Sequence, residues 1–187
     1  MSTARISVLS QRMAAITLFL LIMMILLNTA GWLFPHIIAS KGGYGLGFSL
    51  TDNFINNSNV DVALLPKWQV AGAIILSSIP LIALGFGLYH LHKLFQAYAQ
   101  KAYFSVNAAT QLGNVGKSIV IWTLLNLACG PLLSVWLTMR EPVGQRFITL
   151  SFSVQDIVAL FLAACITIIA YILKQASQLH SENQEFI

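Results

Sequence analysis

At 187 residues, with 57% hydrophobic and only 9% charged side chains, the chain lies far from the soluble average of about 25% charged, which excludes a soluble globular domain. The net charge of +4 is small and the basic residues sit at the ends of apolar blocks, an arrangement that suits anionic lipid head groups and excludes a nucleic-acid surface. Cys129 and Cys165 both lie inside apolar blocks, so neither a zinc spacing nor a secreted disulfide framework is present.

The composition predicts an all-α integral membrane protein, a single membrane domain over 1–187 with four transmembrane helices in two antiparallel hairpins. The first block, 13–34, follows Arg5 and Arg12 and is interrupted only by Thr17, Asn28 and Thr29. At 1.5 Å per residue it is about 33 Å long, enough to cross a bilayer core of roughly 30 Å. Its length exceeds that of a cleaved signal's apolar region, which favours an uncleaved anchor.

Residues 35–67 form the longest polar connection and are expected to be extracytoplasmic. Tyr44, Leu46, Phe48 and Leu50 alternate with Gly45, Gly47, Ser49 and Thr51, and a second alternation follows at Val60, Val62 and Leu64. With turn chemistry at Asp52, Asn53, Asn56 and Asn57 between them, a small β-hairpin could form here. A flexible loop is the favoured reading, because Gly-rich strands pair weakly.

The second span, 68–89, begins and ends on the interfacial aromatics Trp68 and Tyr89 and carries Ser77, Ser78 and Pro80 near its middle. Pro80 frees the carbonyl of Leu76, which predicts a kink compensated by a serine hydroxyl or a neighbouring helix. The third span, 118–138, contains Asn126 and the Gly130, Pro131 pair. A short loop with Arg140, Glu141, Pro142 and Arg146 leads to the fourth span, 154–173, and a polar tail from Lys174.

Alternate segments sort the cations. Arg5, Arg12, Lys93, Lys101, Lys117 and Lys174 fall on one side, Lys41, Lys67, Arg140 and Arg146 on the other, six against four. The positive-inside rule then places both termini in the cytoplasm.

The cytoplasmic helical connector, 90–117, continues helical spacing out of the second span through Leu88, Leu91, Phe95 and Tyr98. Ser105 suits the N-cap of a further helix, with Ala108, Leu112, Val115 and Ile119 on its apolar face. Lys93, Gln96, Lys101, Ser105, Asn107, Gln111, Asn114 and Lys117 make a candidate partner surface. Gly113 and Gly116 would permit close approach of another backbone.

Phe95, then Phe104, Ser105, Asn107, Leu112 and Gly116, resemble the pattern of the bacterial membrane proteins grouped as domain of unknown function twenty-nine seventy-five. The four spans with a polar helical tail are similar along nearly the whole chain. Ala102 stands where that family usually has a glycine, which weakens the case for a tight glycine turn. The resemblance implies a multi-pass bacterial inner-membrane protein without established activity, often encoded beside a small helix-turn-helix regulator, and implies no catalytic residues.

Chemistry is sparse. His36, His90, His92 and His180 lie at span ends or in polar segments, and His90 and His92 are about 200 degrees apart on a helix, so no metal or haem site is expected. Buried cysteines behave as small apolar residues. Ser77, Ser78 and Asn126 form a candidate intramembrane polar cluster bonding between helices. Asp156 is expected to cap the fourth helix or pair with Arg140 or Arg146. These features point to a non-enzymatic inner-membrane protein without cofactors, its partners the lipid bilayer and a cytoplasmic regulatory protein. The competing reading is a transporter or binder of a lipophilic small molecule, with a cavity beside Pro80, Asn126 and Pro131.

Overall fold

A computed structural model describes residues 3–33, 65–102, 105–140, 142, 148, 150 and 153–185. They form four long helices: α1, Thr3–Leu33; α2, Lys67–Ala99; α3, Val106–Thr138; and α4, Val154–Glu185. No strand occurs among the described residues. The alternating segment at 44–64, where a hairpin could form, lies outside them, as does Phe104.

All four helices are long and apolar enough to cross a membrane. α2 and α3 have 33 residues each, about 50 Å at 1.5 Å per residue, roughly 20 Å more than a bilayer core needs. No helix boundary falls at Tyr89 or Lys117. Residues 90–99 and 106–117 are uninterrupted continuations of the spanning helices, because no proline, glycine pair or capping residue intervenes to end them.

The distribution of side chains is the reverse of that in a soluble protein. Alanine, serine and threonine dominate the buried positions, including Ala73, Ala163, Ser77, Thr123 and Ser134. Large apolar side chains such as Phe19, Leu26, Ile75, Phe86, Phe161 and Ile168 point outward. Small residues let helix backbones approach, and the outward apolar surface needs a hydrocarbon solvent.

The chain divides into two compact units. The first comprises Met1–Leu21, Ala83–Ile121 and Val154–Ile187, and the second Ile22–Ile82 and Trp122–Ser153. Leu94, Ala97 and Ala108 form the core of the first unit, with Leu91, Tyr98 and Leu112 packed against them. Here Ser7 Oγ donates to the carbonyl of Ala99 at 2.7 Å, and His92 Nδ1 to the carbonyl of Ala14 at 2.8 Å. Gly116 of α3 packs on Ala163 and Thr167 of α4, and Gly113 faces Ala170.

Trp32, Ala73, Cys129, Leu133 and Leu137 form the core of the second unit. Trp136 packs its indole against Gly72, where any side chain would collide with the ring. α2 continues through Pro80 and α3 through Pro131.

Candidate functional site

The turn between α2 and α3 organises the predicted partner surface. α2 ends at Ala99, and the next residues close it: Lys101 N donates to the carbonyl of Tyr98, and Ala102 N to that of Ala97, both at 3.0 Å. These two bonds make a Schellman motif, which needs a left-handed residue between the helix and the residue that reaches back. Glycine usually fills that position. Lys101 does so here, with φ at 65°. The turn is therefore tight without the glycine that the sequence lacks at Ala102. On its far side Ser105 accepts the Ala108 amide at 3.1 Å, capping α3 as its position predicts.

On either side of these two stops, the polar residues of the connector divide into three groups. Lys93, Gln96, Lys101 and Asn107 are exposed, with Lys93 Nζ lying 4.7 Å from the Tyr89 ring centroid. Gln111 is committed to an internal relay: His90 Nδ1 donates to its Oε1 at 2.7 Å, and its Nε2 donates to Asn107 Oδ1 at 3.3 Å. Asn114 and Lys117 turn toward α4 and line a groove with it. His90 thus reaches toward α3 while His92 reaches α1, so the two imidazoles diverge. Among the described residues no group of three or more His, Cys, Asp or Glu could hold a metal ion.

A buried polar cluster occupies the second unit. Asn28 Nδ2 donates to both Ser77 Oγ and Ser78 Oγ at 3.2 Å, and Trp32 Nε1 donates to Ser77 Oγ at 3.0 Å. Both serine hydroxyls donate to the carbonyl of Ile74, Ser77 at 3.2 Å and Ser78 at 2.6 Å. A hydroxyl has one proton, so neither serine serves the carbonyl of Leu76 that Pro80 frees. The partner of the two serines is Asn28 of α1. Asn126, which the sequence groups with them, has a buried Oδ1 without a hydrogen-bond partner.

A second polar contact went unmarked in the sequence. Gln69 is fully buried, and its Nε2 donates to the carbonyls of Trp136 at 2.9 Å and Leu137 at 3.0 Å. Those carbonyls belong to the last turn of α3, where no intrahelical donor remains. Trp136 also stacks edge-on to Trp68 at 5.6 Å, and the Arg140 guanidinium lies 5.6 Å from the Trp68 ring centroid. Cys129 and Cys165 are free thiols, the former in the apolar core.

A family model described as "Protein of unknown function (DUF2975)" matches residues 5–187. The chain belongs to that family. The match includes α1 from Arg5 onward, the other three helices, the turn at Lys101 and Ser105, and the resemblance seen at Phe95, Asn107, Leu112 and Gly116. No curated protein matches the chain, and no solved structure does. Membership carries no assigned activity.

Proposed function

We propose that this member of the family is a non-enzymatic, multi-pass protein of a bacterial inner membrane that acts by presenting its α2–α3 corner to a cytoplasmic protein. Four helices would pack as two antiparallel hairpins with both termini in the cytoplasm, the orientation favoured by the lysines of the corner. One observation carries the reading: the corner is held on both sides, by the Schellman bonds at Lys101 and Ala102 and by the Ser105 cap, while Lys93, Gln96, Lys101 and Asn107 stay exposed. Because α2 and α3 are about 20 Å longer than a bilayer core, the capped end of α2 and start of α3 would stand clear of the head groups. A preformed surface loses little conformational entropy on binding, which favours recognition. The family resemblance suggests a helix-turn-helix regulator as the partner.

The test is site-specific crosslinking in native membranes from cysteines introduced at Gln96 and Asn107. Recovery of one specific cytoplasmic protein at both positions supports the reading, and its absence defeats it. A carrier for a lipophilic molecule is less well supported, since it needs space beside Pro80. Pro80, Ser77 and Ser134 are each less than 2% exposed, packed among their neighbours.

A further inference from the structure

Lys117 of α3 and Lys174 of α4 mark the same level in two different helices. From Ser118 to Thr138 the sequence has no charged residue, and from Ile157 to Leu173 it has none either. The first of these runs spans about 31 Å, the thickness of a bilayer core. Each lysine is therefore the first cation at one end of a membrane-length apolar segment, where phospholipid phosphates lie. The two lysines also share a groove of about 180 Å³ between α3 and α4, lined in addition by Thr110, Asn114, Thr167 and Tyr171.

The close contact between the two helices forms part of the groove's lining. Gly116 and Gly113 bring α3 against Ala163, Thr167 and Ala170, and the larger residues around that contact form the walls. Its donors converge without internal partners: among the described residues Asn114, Lys117 and Lys174 make no hydrogen bond or ion pair. Thr110 and Thr167 are already committed to the carbonyls of Val106 and Ala163, both at 2.8 Å. Tyr171 accepts from Gln175 Nε2 at 2.9 Å, which leaves its own proton available. No carboxylate is among the described lining residues. Two ammonium groups, an amide and a phenol thus line one groove with no carboxylate among the described lining residues.

We propose that this groove binds an anionic phospholipid, with its phosphate-bearing headgroup on Lys117, Lys174, Asn114 and Tyr171 and its acyl chains along α3 and α4 toward the apolar runs. The volume suits a phosphate and glycerol unit and is too small for a drug-sized ligand, which needs about 300 Å³ or more. A lysine near anionic lipid contributes about a five-fold change in affinity, so two predict roughly 25-fold. This inference is independent of the partner surface proposed above, because it assigns Asn114 and Lys117 to lipid and leaves Lys93, Gln96, Lys101 and Asn107 to protein.

The test uses the full chain, purified in neutral detergent and titrated with phosphatidylglycerol or phosphatidylcholine of the same acyl chains, with bound lipid counted by native mass spectrometry. Wild type should favour phosphatidylglycerol. Lys117→Gln and Lys174→Gln should each weaken that binding about five-fold, and Lys→Arg at either position should preserve it. Lys93→Gln and Lys101→Gln, each a single change equal in charge loss to one of these, should leave it unchanged. Absence of headgroup preference, or an equal loss in either control, overturns the proposal. Inorganic phosphate that binds alone with the same lysine dependence, and displaces the lipid, would make this a free-phosphate site and overturn it too. A photoactivatable phosphatidylglycerol applied to the unaltered protein keeps the question answerable should a variant misfold. It should label peptides containing 109–117 or 167–174, and labelling confined to other segments refutes the assignment.

Discussion

Gln69 and Trp136 exchange hydrogen bonds across 67 residues of sequence: Gln69 Nε2 donates to the Trp136 carbonyl at 2.9 Å, and Trp136 Nε1 donates to the Gln69 carbonyl at 3.0 Å. A side chain from the first turn of α2 thereby caps the last turn of α3, and the indole returns the bond. Replacing Gln69 with Leu leaves two terminal carbonyls unmet but also removes the buried, unpartnered Gln69 Oε1, so a loss of about 1 kcal/mol, at the low end for unmet buried acceptors, is expected. Thermal melting in detergent should show it. A double-mutant cycle of Gln69→Leu with Trp136→Phe should give a coupling energy clearly different from zero, since the two side chains form one network.

Asn28 and Asn126 should behave oppositely. Asn28→Leu takes the donor from Ser77 and Ser78 and should destabilise by about 1 kcal/mol, the usual scale for interhelical hydrogen bonds in membranes. Asn126→Leu removes an Oδ1 that has no partner, so stability should be unchanged or rise. Unfolding titrations of both variants under the same conditions decide the matter. A larger loss at Asn126 than at Asn28 would mean that the cluster is wrongly assigned.

Glycine positions give a further contrast in sign. A Cβ at Gly116 would collide with the Thr167 hydroxyl and lie 3.0 Å from the backbone carbonyl of Ala163, so Gly116→Ala forces α3 and α4 apart. Overpacking of this kind typically costs about 1 to 3 kcal/mol. At Gly85 an added Cβ meets nothing within 4 Å. Gly85→Ala should therefore stabilise α2 by roughly 0.5 to 1 kcal/mol, the helix preference of alanine over glycine. Melting temperatures that move in the same direction for both would contradict the packing.

The corner offers a way to strengthen the fold at its turn. Lys101 holds φ at 65°, a conformation that carries a steric penalty of about 1 to 2 kcal/mol for residues with a Cβ. Lys101→Gly should slow amide exchange at Lys101 and Ala102, while Lys101→Val should speed it. Ser105→Ala should weaken the start of α3 by about 1 kcal/mol, seen as faster exchange at Ala108.

Much of the architecture was legible from residue order alone. Four apolar blocks announced four helices long enough to span, because a bilayer core leaves a backbone no partner but itself. Ser105 announced the start of α3, since capping is settled within three residues. The spacing of Ala108, Leu112 and Val115 named one buried face of α3, with Ala108 and Val115 buried and Leu112 against the core. Lys117 and Lys174 likewise showed where two apolar runs stop.

Which polar groups meet was not legible in that way. Helical periodicity says which residues of one helix share a face, but not how that helix is rotated or shifted against its neighbour. That register depends on small residues, such as Gly72 under Trp136 and Gly116 under Thr167, whose effect exists only when both helices are in place. Only the tertiary structure therefore paired Ser77 with Asn28, 49 residues away, and left the Asn126 oxygen without a partner. The same holds for the groove. Residue order placed Lys117 and Lys174 at the ends of two runs, and the close approach of α3 and α4 brought them to one site.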